Sequence, residues 1–238
     1  MPVTSPESAG PVLEVGAAAL GMTFPPGQLA LLERHLSLVA AWSGRLRLTG
    51  ALSGERAAEV LVLRDLSVLR HLPETGVFAD LGSGAGVPGI PIAVTHPHAR
   101  IVLVEASRKR AGFLQIVLRD LALANAEVMN TRAEVLGRML EHRGRYDAVT
   151  ARAVAPLRIL VEYALPLLRI GGVALFPKGA GAATELAAAA GALRLLGGEA
   201  AIRPAASAAV SSVIVVRKVA PTPAEYPRRP GTPSRRPL

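Results

Sequence analysis

The chain has 238 residues, half of them hydrophobic, with no cysteine and eight aromatic side chains. That length suits one domain, or one domain with a small appendage, and buries a core without staples, and the missing cysteine excludes disulfides, thiol nucleophiles, zinc–cysteine sites and iron–sulfur clusters. Lys and Arg number 27 against 18 Asp and Glu, a formal net charge of +9, which points to a polyanionic partner, nucleic acid or an anionic membrane surface.

Residues 1–27 are rich in Pro, Gly, Ala and Ser, which predicts a loose start. Met1–Gly10 carries Glu7 and no Lys or Arg ahead of an apolar stretch, unlike a secretory signal. From Gln28 to Trp42, Leu29, Leu32, Leu36, Val39 and Ala40 recur at three- and four-residue steps, the period of an amphipathic helix. A second helical pattern runs from Ser53 to His71 and stops at Pro73. The period then changes. Residues 77–81 are a short apolar run ending in glycines, as a buried parallel strand does. A helix follows from Gly89 to about Thr95, a strand from Arg100 to Glu105, and a helix from Ser107 to Leu123. Further strands are predicted at 127–130, 146–151, 172–176 and 211–216, with helices at 135–142, 157–168 and 182–196 between them. Alternating strand and helix predict a doubly wound α/β sheet. The last 18 residues hold six prolines and no apolar period, so an extended tail is expected. The predicted divisions are a flexible N-terminus (1–27), a helical extension (28–72), an α/β domain (73–219) and a basic, Pro-rich tail (220–238). No membrane span is expected. The most apolar stretch, 149–177, is interrupted by Arg152, Arg158, Glu162 and Arg169, whereas a spanning helix needs about 20 nearly uncharged residues. A cytoplasmic, monomeric protein is the expectation.

The most informative stretch is Asp80-Leu81-Gly82-Ser83-Gly84-Ala85-Gly86-Val87-Pro88-Gly89. Alternate glycines after a strand allow a tight turn and let a ligand approach the backbone. Residues 84–89 also match G-x-G-x-x-G, the dinucleotide fingerprint, and a dinucleotide-dependent oxidoreductase is the rival reading. Two features argue against it. Asp80, at the strand end, would repel a pyrophosphate, and Pro88 removes an N–H from the helix start. An acid-flanked glycine loop suits S-adenosylmethionine instead, with Asp80 facing the cationic methionine end. Glu105, 23 residues past Gly82, can accept both ribose hydroxyls from the end of the next strand, or else pair with Arg108 or Lys109. Arg152 and Lys178 follow strand ends on the same rim, where Lys178 either meets RNA or is a solvated lysine. The five histidines are scattered, and no metal site is expected.

The strings D-L-G-S-G-A-G-V-P-G-I-P (80–91), T-A-R-A-V-A (150–155), P-K-G (177–179), V-I-V-V-R-K (213–218) and Y-P-R-R-P-G-T-P-S-R-R-P-L (226–238) resemble those of the small-subunit ribosomal RNA guanine-N7 methyltransferase G family, long called glucose-inhibited division protein B. The resemblance covers about residues 28–238. It implies a class I S-adenosylmethionine methyltransferase fold, a Rossmann-like doubly wound sheet, with one guanine of small-subunit ribosomal RNA as acceptor. Carried over by position, it implies cofactor contacts at Gly82 and Val87, joined by Gly84 of the same loop, at Glu105, Ala106 and Ser107, at Ala133 and Glu134 beside the adenine, and at Arg152. No residue is assigned a catalytic proton transfer. Arg228, Arg229, Arg235 and Arg236 of the tail, with Lys178, form the expected RNA-binding set. The pattern departs from the family at two places. Trp42-Ser43-Gly44-Arg45-Leu46-Arg47-Leu48-Thr49 lacks both asparagines of W-N-x-x-x-N-L-T, and Leu63-Arg64-Asp65-Leu66-Ser67-Val68 replaces R-H-x-x-D-S. A non-catalytic RNA-binding relative is the third reading.

Overall fold

The computed structural model describes residues 9–49, 54–204 and 212–238. The loose start expected for residues 1–8, and the element ends expected at Ser53 and Ser211, lie outside them. Helices come first: α1 (Ala9–Ala19), α2 (Pro26–Leu46), α3 (Gly54–Ala58) and α4 (Arg64–Leu69), with a π-helical turn at Glu59–Leu63 between the last two. The loose start is therefore corrected over residues 9–19. Ala9, Leu13 and Ala17 of α1 are buried at four-residue steps, and one fully buried leucine contributes about 1.5–3 kcal/mol.

Seven strands follow: β1 (Gly76–Leu81), β2 (Ala99–Val104), β3 (Ala126–Met129), β4 (Tyr146–Ala151), β5 (Leu168–Lys178), β6 (Gly198–Pro204) and β7 (Ser212–Lys218). They form one sheet in the order β3-β2-β1-β4-β5-β7-β6. β1 to β5 run parallel, and β7 runs antiparallel to both β5 and β6. Between and after the strands lie α5 (Gly89–Thr95), α6 (Arg108–Asp120), α7 (Ala133–Leu136), α8 (Leu157–Ala164), α9 (Ala182–Leu196) and α10 (Thr232–Arg235).

The strands read as continuous apolar runs because both faces are covered. Phe78, Ile101, Leu103 and Ala148 share one hydrophobic cluster with α1, α2, α5 and α6. Ala79, Leu81, Val102, Val104 and Val149 share the other with α8 and α9. Helices α1, α2 and α3 belong to the first cluster, joined to α6 by Trp42 against Phe113 at 6.0 Å between ring centroids and by a bidentate Arg34–Asp120 pair, whereas Val68 of α4 packs with Leu175 and Val213. The chain leaves β1 for β2 and β3, then returns to place β4 on the other side of β1. In such sheets the strand carboxyl ends open a crevice at this switch point.

The extended tail is the second correction. Residues 222–236 are docked against α7 and α8, with Thr222 and Pro227 buried and α10 near the end. Strand β6 was not expected at all, and α8 stops at Ala164, ahead of Pro166, which cannot extend a helix.

Candidate active site

The glycine loop folds over the end of β2. Gly82 and Ser83 both donate their N–H to the Val104 carbonyl, at 2.8 and 3.1 Å, and Gly86 closes a turn on the Ser83 carbonyl at 2.7 Å. Gly84 adopts φ +53°, a region side chains avoid. A Cβ at Gly82 would lie 2.7 Å from Val154 Cγ2. Val154 thus packs on Gly82, whereas a Cβ at Gly84 would meet only the Gly82 carbonyl, at 3.7 Å.

Glu105 is buried at the end of β2. Its Oε2 accepts from Gly84 N at 3.0 Å and its Oε1 from Ser107 N at 2.8 Å. The carboxylate therefore joins the glycine loop to the start of α6, and among the described residues it forms no ion pair with Arg108 or Lys109. Ser107 caps α6, Ala106 is exposed beside it, and Asn130 after β3 holds the Glu105 carbonyl at 2.8 Å. Val87, on the loop, is buried.

Asp80 does not face the crevice, which corrects its expected role. It is 1% exposed, and its carboxylate accepts from Thr150 Oγ1 at 3.1 Å and from Gly89 N at 3.2 Å. Burial pushes it up to about 6, against the hydrogen bonds that favour the ionised form. Its position also answers the dinucleotide question. The Gly89 N–H that a pyrophosphate would use is already held by a carboxylate, and Pro88 has none to offer.

Arg152 follows β4, and Ala153 beside it turns the chain with φ +53°, uncommon for a residue with a side chain. Arg152 Nη1 donates to the Val60 carbonyl at 2.6 Å and lies 3.0 Å from Asp65 Oδ2. Its N–H is directed at the carbonyl, so the Asp65 contact is an ion pair without a directed hydrogen bond, and both buried Asp65 oxygens lack one. Burial pushes Asp65 up to about 7, with Arg152 opposing the shift. The N-terminal helices reach the loop again through His35, whose Nε2 donates to the Ala85 carbonyl at 2.8 Å. Burial drives His35 down to about 4 and leaves its Nδ1 without a partner, so the ring is neutral.

The structure brings Gly82, Gly84, Val87, Glu105, Ala106, Ser107 and Arg152 to the carboxyl ends of β1, β2 and β4, with Ala133 past the end of β3. Three expected residues are placed differently. Glu134 is 3% exposed and accepts from Gly231 N at 2.9 Å, so its carboxylate faces the tail. Arg228 donates three hydrogen bonds to buried Glu162, and Lys178 pairs with Glu185 at 2.8 Å with its side chain only 12% exposed. Those two cations are engaged within the fold, whereas Arg229, Arg235 and Arg236 are exposed. His35, Asp65, Thr150 and Asn130 were missed. The one readable signal was a polar residue inside an apolar helix face, at His35 between Leu32 and Leu36 and at Asp65 between Leu63 and Val68. Among the described residues no acidic or histidine cluster could hold a metal ion, and no helix is long and apolar enough to cross a membrane.

A sequence model of the family described as rRNA small subunit methyltransferase G matches residues 28–213. The chain is 42% identical over 236 residues to the ribosomal RNA small subunit methyltransferase G of Chloroflexus aggregans, covering 92% of this chain and 94% of that one. It is 39% identical to the protein of the same name from Pelotomaculum thermopropionicum, covering 95% and 97%. Among solved structures, a predicted O-methyltransferase from Agrobacterium tumefaciens superposes with TM-score 0.51 at 22% identity, over 66% of this chain and 81% of that one. That likeness is one of fold alone.

Proposed function

The chain belongs to the rRNA small subunit methyltransferase G family and carries the class I methyltransferase fold, and from that membership we propose that it transfers a methyl group from S-adenosylmethionine to N7 of a guanine in small-subunit ribosomal RNA. The observation that carries the reading is the Glu105 bridge. A buried carboxylate between the glycine loop and α6, each oxygen accepting one backbone N–H, would keep a second lone pair on each oxygen for the hydroxyls of a ribose. The oxidoreductase reading is not favoured, because the relatives are methyltransferases by name and the anion position at α5 is held by Asp80.

The residues fit this cofactor. Gly84 leaves its backbone open to close approach, Glu105 suits a ribose, and Arg152, with donors beyond the one held by Val60, suits a carboxylate. When bound, S-adenosylmethionine supplies an electrophilic methyl group on a sulfonium. Gly82, Gly84 and Val87 would line it on one side, Glu105, Ala106 and Ser107 on the next, and Ala133 and Glu134 would wall the adenine end through their backbone. Guanine N7 has a lone pair and no proton at neutral pH, so the chain needs no general base. Its contribution is orientation, which can supply about 7–11 kcal/mol in favourable cases. A cation against N7 would oppose charge arriving on the ring, so Arg152 serves the cofactor's carboxylate or the RNA backbone, and Arg229, Arg235 and Arg236 serve phosphates. Such an enzyme works in the cytoplasm.

The test is methyl transfer from labelled S-adenosylmethionine to small subunits and naked ribosomal RNA from cells that lack this modification. Label in RNA from those cells and not in fully modified RNA supports the reading. Cofactor binding with no transfer to either substrate leaves the non-catalytic relative.

A further inference from the structure

We propose that the C-terminal segment from Thr222 to Arg235 is a positioning strap for the cofactor. It holds the loop after β3 in the place where that loop can wall the adenine. The inference rests on the function proposed above.

The strap acts on the strand ends where the proposed function puts the nucleoside. The glycine loop stands at the end of β1, Glu105 at the end of β2 and Ala133 past the end of β3, the strand beside β2, so the adenine wall proposed above continues the same rim. The chain there consists of Asn130, two further residues and α7. α7 is four residues long, too short to hold its own shape.

The strap supplies what α7 lacks. Gly231 N donates to Glu134 Oε1 at 2.9 Å, at the first turn of α7. Past its end, Arg138 donates to the carbonyls of Pro227 (2.7 Å) and Glu225 (2.9 Å), and Arg143 to those of Tyr226 (2.6 Å), Thr222 (2.9 Å) and Pro223 (3.0 Å). A Cβ at Gly137 would come within 3.0 Å of Pro227. The strap is in turn anchored on α8. Arg228 donates its backbone N–H and its Nε to Glu162 Oε1, both at 2.9 Å, and its Nη2 to Oε2 at 2.6 Å, while Ser234 meets the Tyr163 hydroxyl at 3.0 Å. Glu162 is fully buried. A buried ion pair gains little stability over an apolar pair of the same shape, but it fixes one register. Two buried glutamates gripping one irregular segment fit a positioning role better than a stabilising one. The anchored residues also alternate with exposed Arg229, Arg235 and Arg236, so phosphate contacts would act on the segment that holds Glu134.

The test uses the full-length protein and S-adenosylmethionine. Arg228→Met should raise the cofactor's dissociation constant and KM by about five- to tenfold, with the single-turnover rate at saturating cofactor unchanged. Arg228→Lys, which retains the charge and the backbone bond, should recover part of the loss. Arg229→Met removes the same charge from the same segment and should leave cofactor affinity alone. Because Arg228→Met strands a buried carboxylate, the pair Arg228→Met with Glu162→Leu, which removes both charges, is measured beside it and should show the same loss of affinity. Glu134→Gln should fall between wild type and Arg228→Met. A folded double variant that binds the cofactor as wild type does overturns the proposal, as does an equal loss in Arg229→Met. Failure of the wild type to bind S-adenosylmethionine would instead overturn the proposed function.

Discussion

Asp65 is the group whose behaviour the structure constrains most sharply, and Asp65→Asn is the perturbation that tests it. The carboxyl is 1% exposed, lies 3.0 Å from Arg152 and is pushed by burial from 3.8 up to about 7. An acid with a raised folded value keeps its proton in the native state where the unfolded chain has released it. Stability is therefore lost as pH rises from about 4 to about 7. At about 1.36 kcal/mol per pH unit the full effect is about 4 kcal/mol. Asn has no proton to lose, so the variant should gain on the wild type as pH is raised, by up to that amount at pH 8 and little near pH 4. His35, with its folded value lowered to about 4, contributes the opposite slope between about pH 4 and 6.5, but it is present in both proteins and cancels in the difference. Urea denaturation of both proteins at half-unit pH steps reads this directly. Parallel curves, or a wild type that gains on the variant as pH rises, would refute the reasoning. The latter would mean that Arg152 holds Asp65 ionised and that charge pairing outweighs burial.

Gly84→Val should abolish measurable S-adenosylmethionine binding in calorimetry while the far-UV spectrum is kept, because φ +53° rejects a β-branched residue and the Gly84 N–H is the link to Glu105; unchanged affinity would place the cofactor elsewhere. Replacing Arg229, Arg235 and Arg236 together by Ala should flatten the slope of log affinity for RNA against log salt by about two, at about 0.7 per phosphate contact on single strands, and an unaltered slope would mean that these arginines do not meet RNA. Single-turnover methyl transfer at saturating cofactor should not rise tenfold per pH unit anywhere between about pH 6.5 and 9; such a rise would reveal a general base and argue against N7 as the acceptor.

The sheet was legible because its central strands are covered on both faces. A run such as Val77-Phe78-Ala79-Asp80-Leu81 ending in glycines has few other uses, and α9 was bounded by glycines at both ends. β6 was not legible. It is an edge strand with several exposed residues, and Gly198-Glu199-Ala200-Ala201-Ile202-Arg203-Pro204 takes its register from β7 and not from its own alternation. α1 hid its stripe of Ala9, Leu13 and Ala17 among Gly and Pro. The tail misled because its prolines and arginines describe a solvated chain until Glu134 and Glu162 are known to stand beneath it, and those partners are 97 and 66 residues distant. The glycine loop and Glu105 could be read from spacing. Asp80 could be found but not oriented, since a carboxylate at a strand end can turn toward the crevice or back under the loop, and Thr150 and Gly89 decide which.

The most direct measurement is the position of the transferred methyl group. Small-subunit RNA from cells lacking the modification, treated with the enzyme and S-adenosylmethionine and then with borohydride and aniline, should break at one guanine, because N7-methylation labilises that ring to reduction and strand scission. RNA that gains one methyl group by mass yet resists scission would place the methyl on another atom and contradict the account.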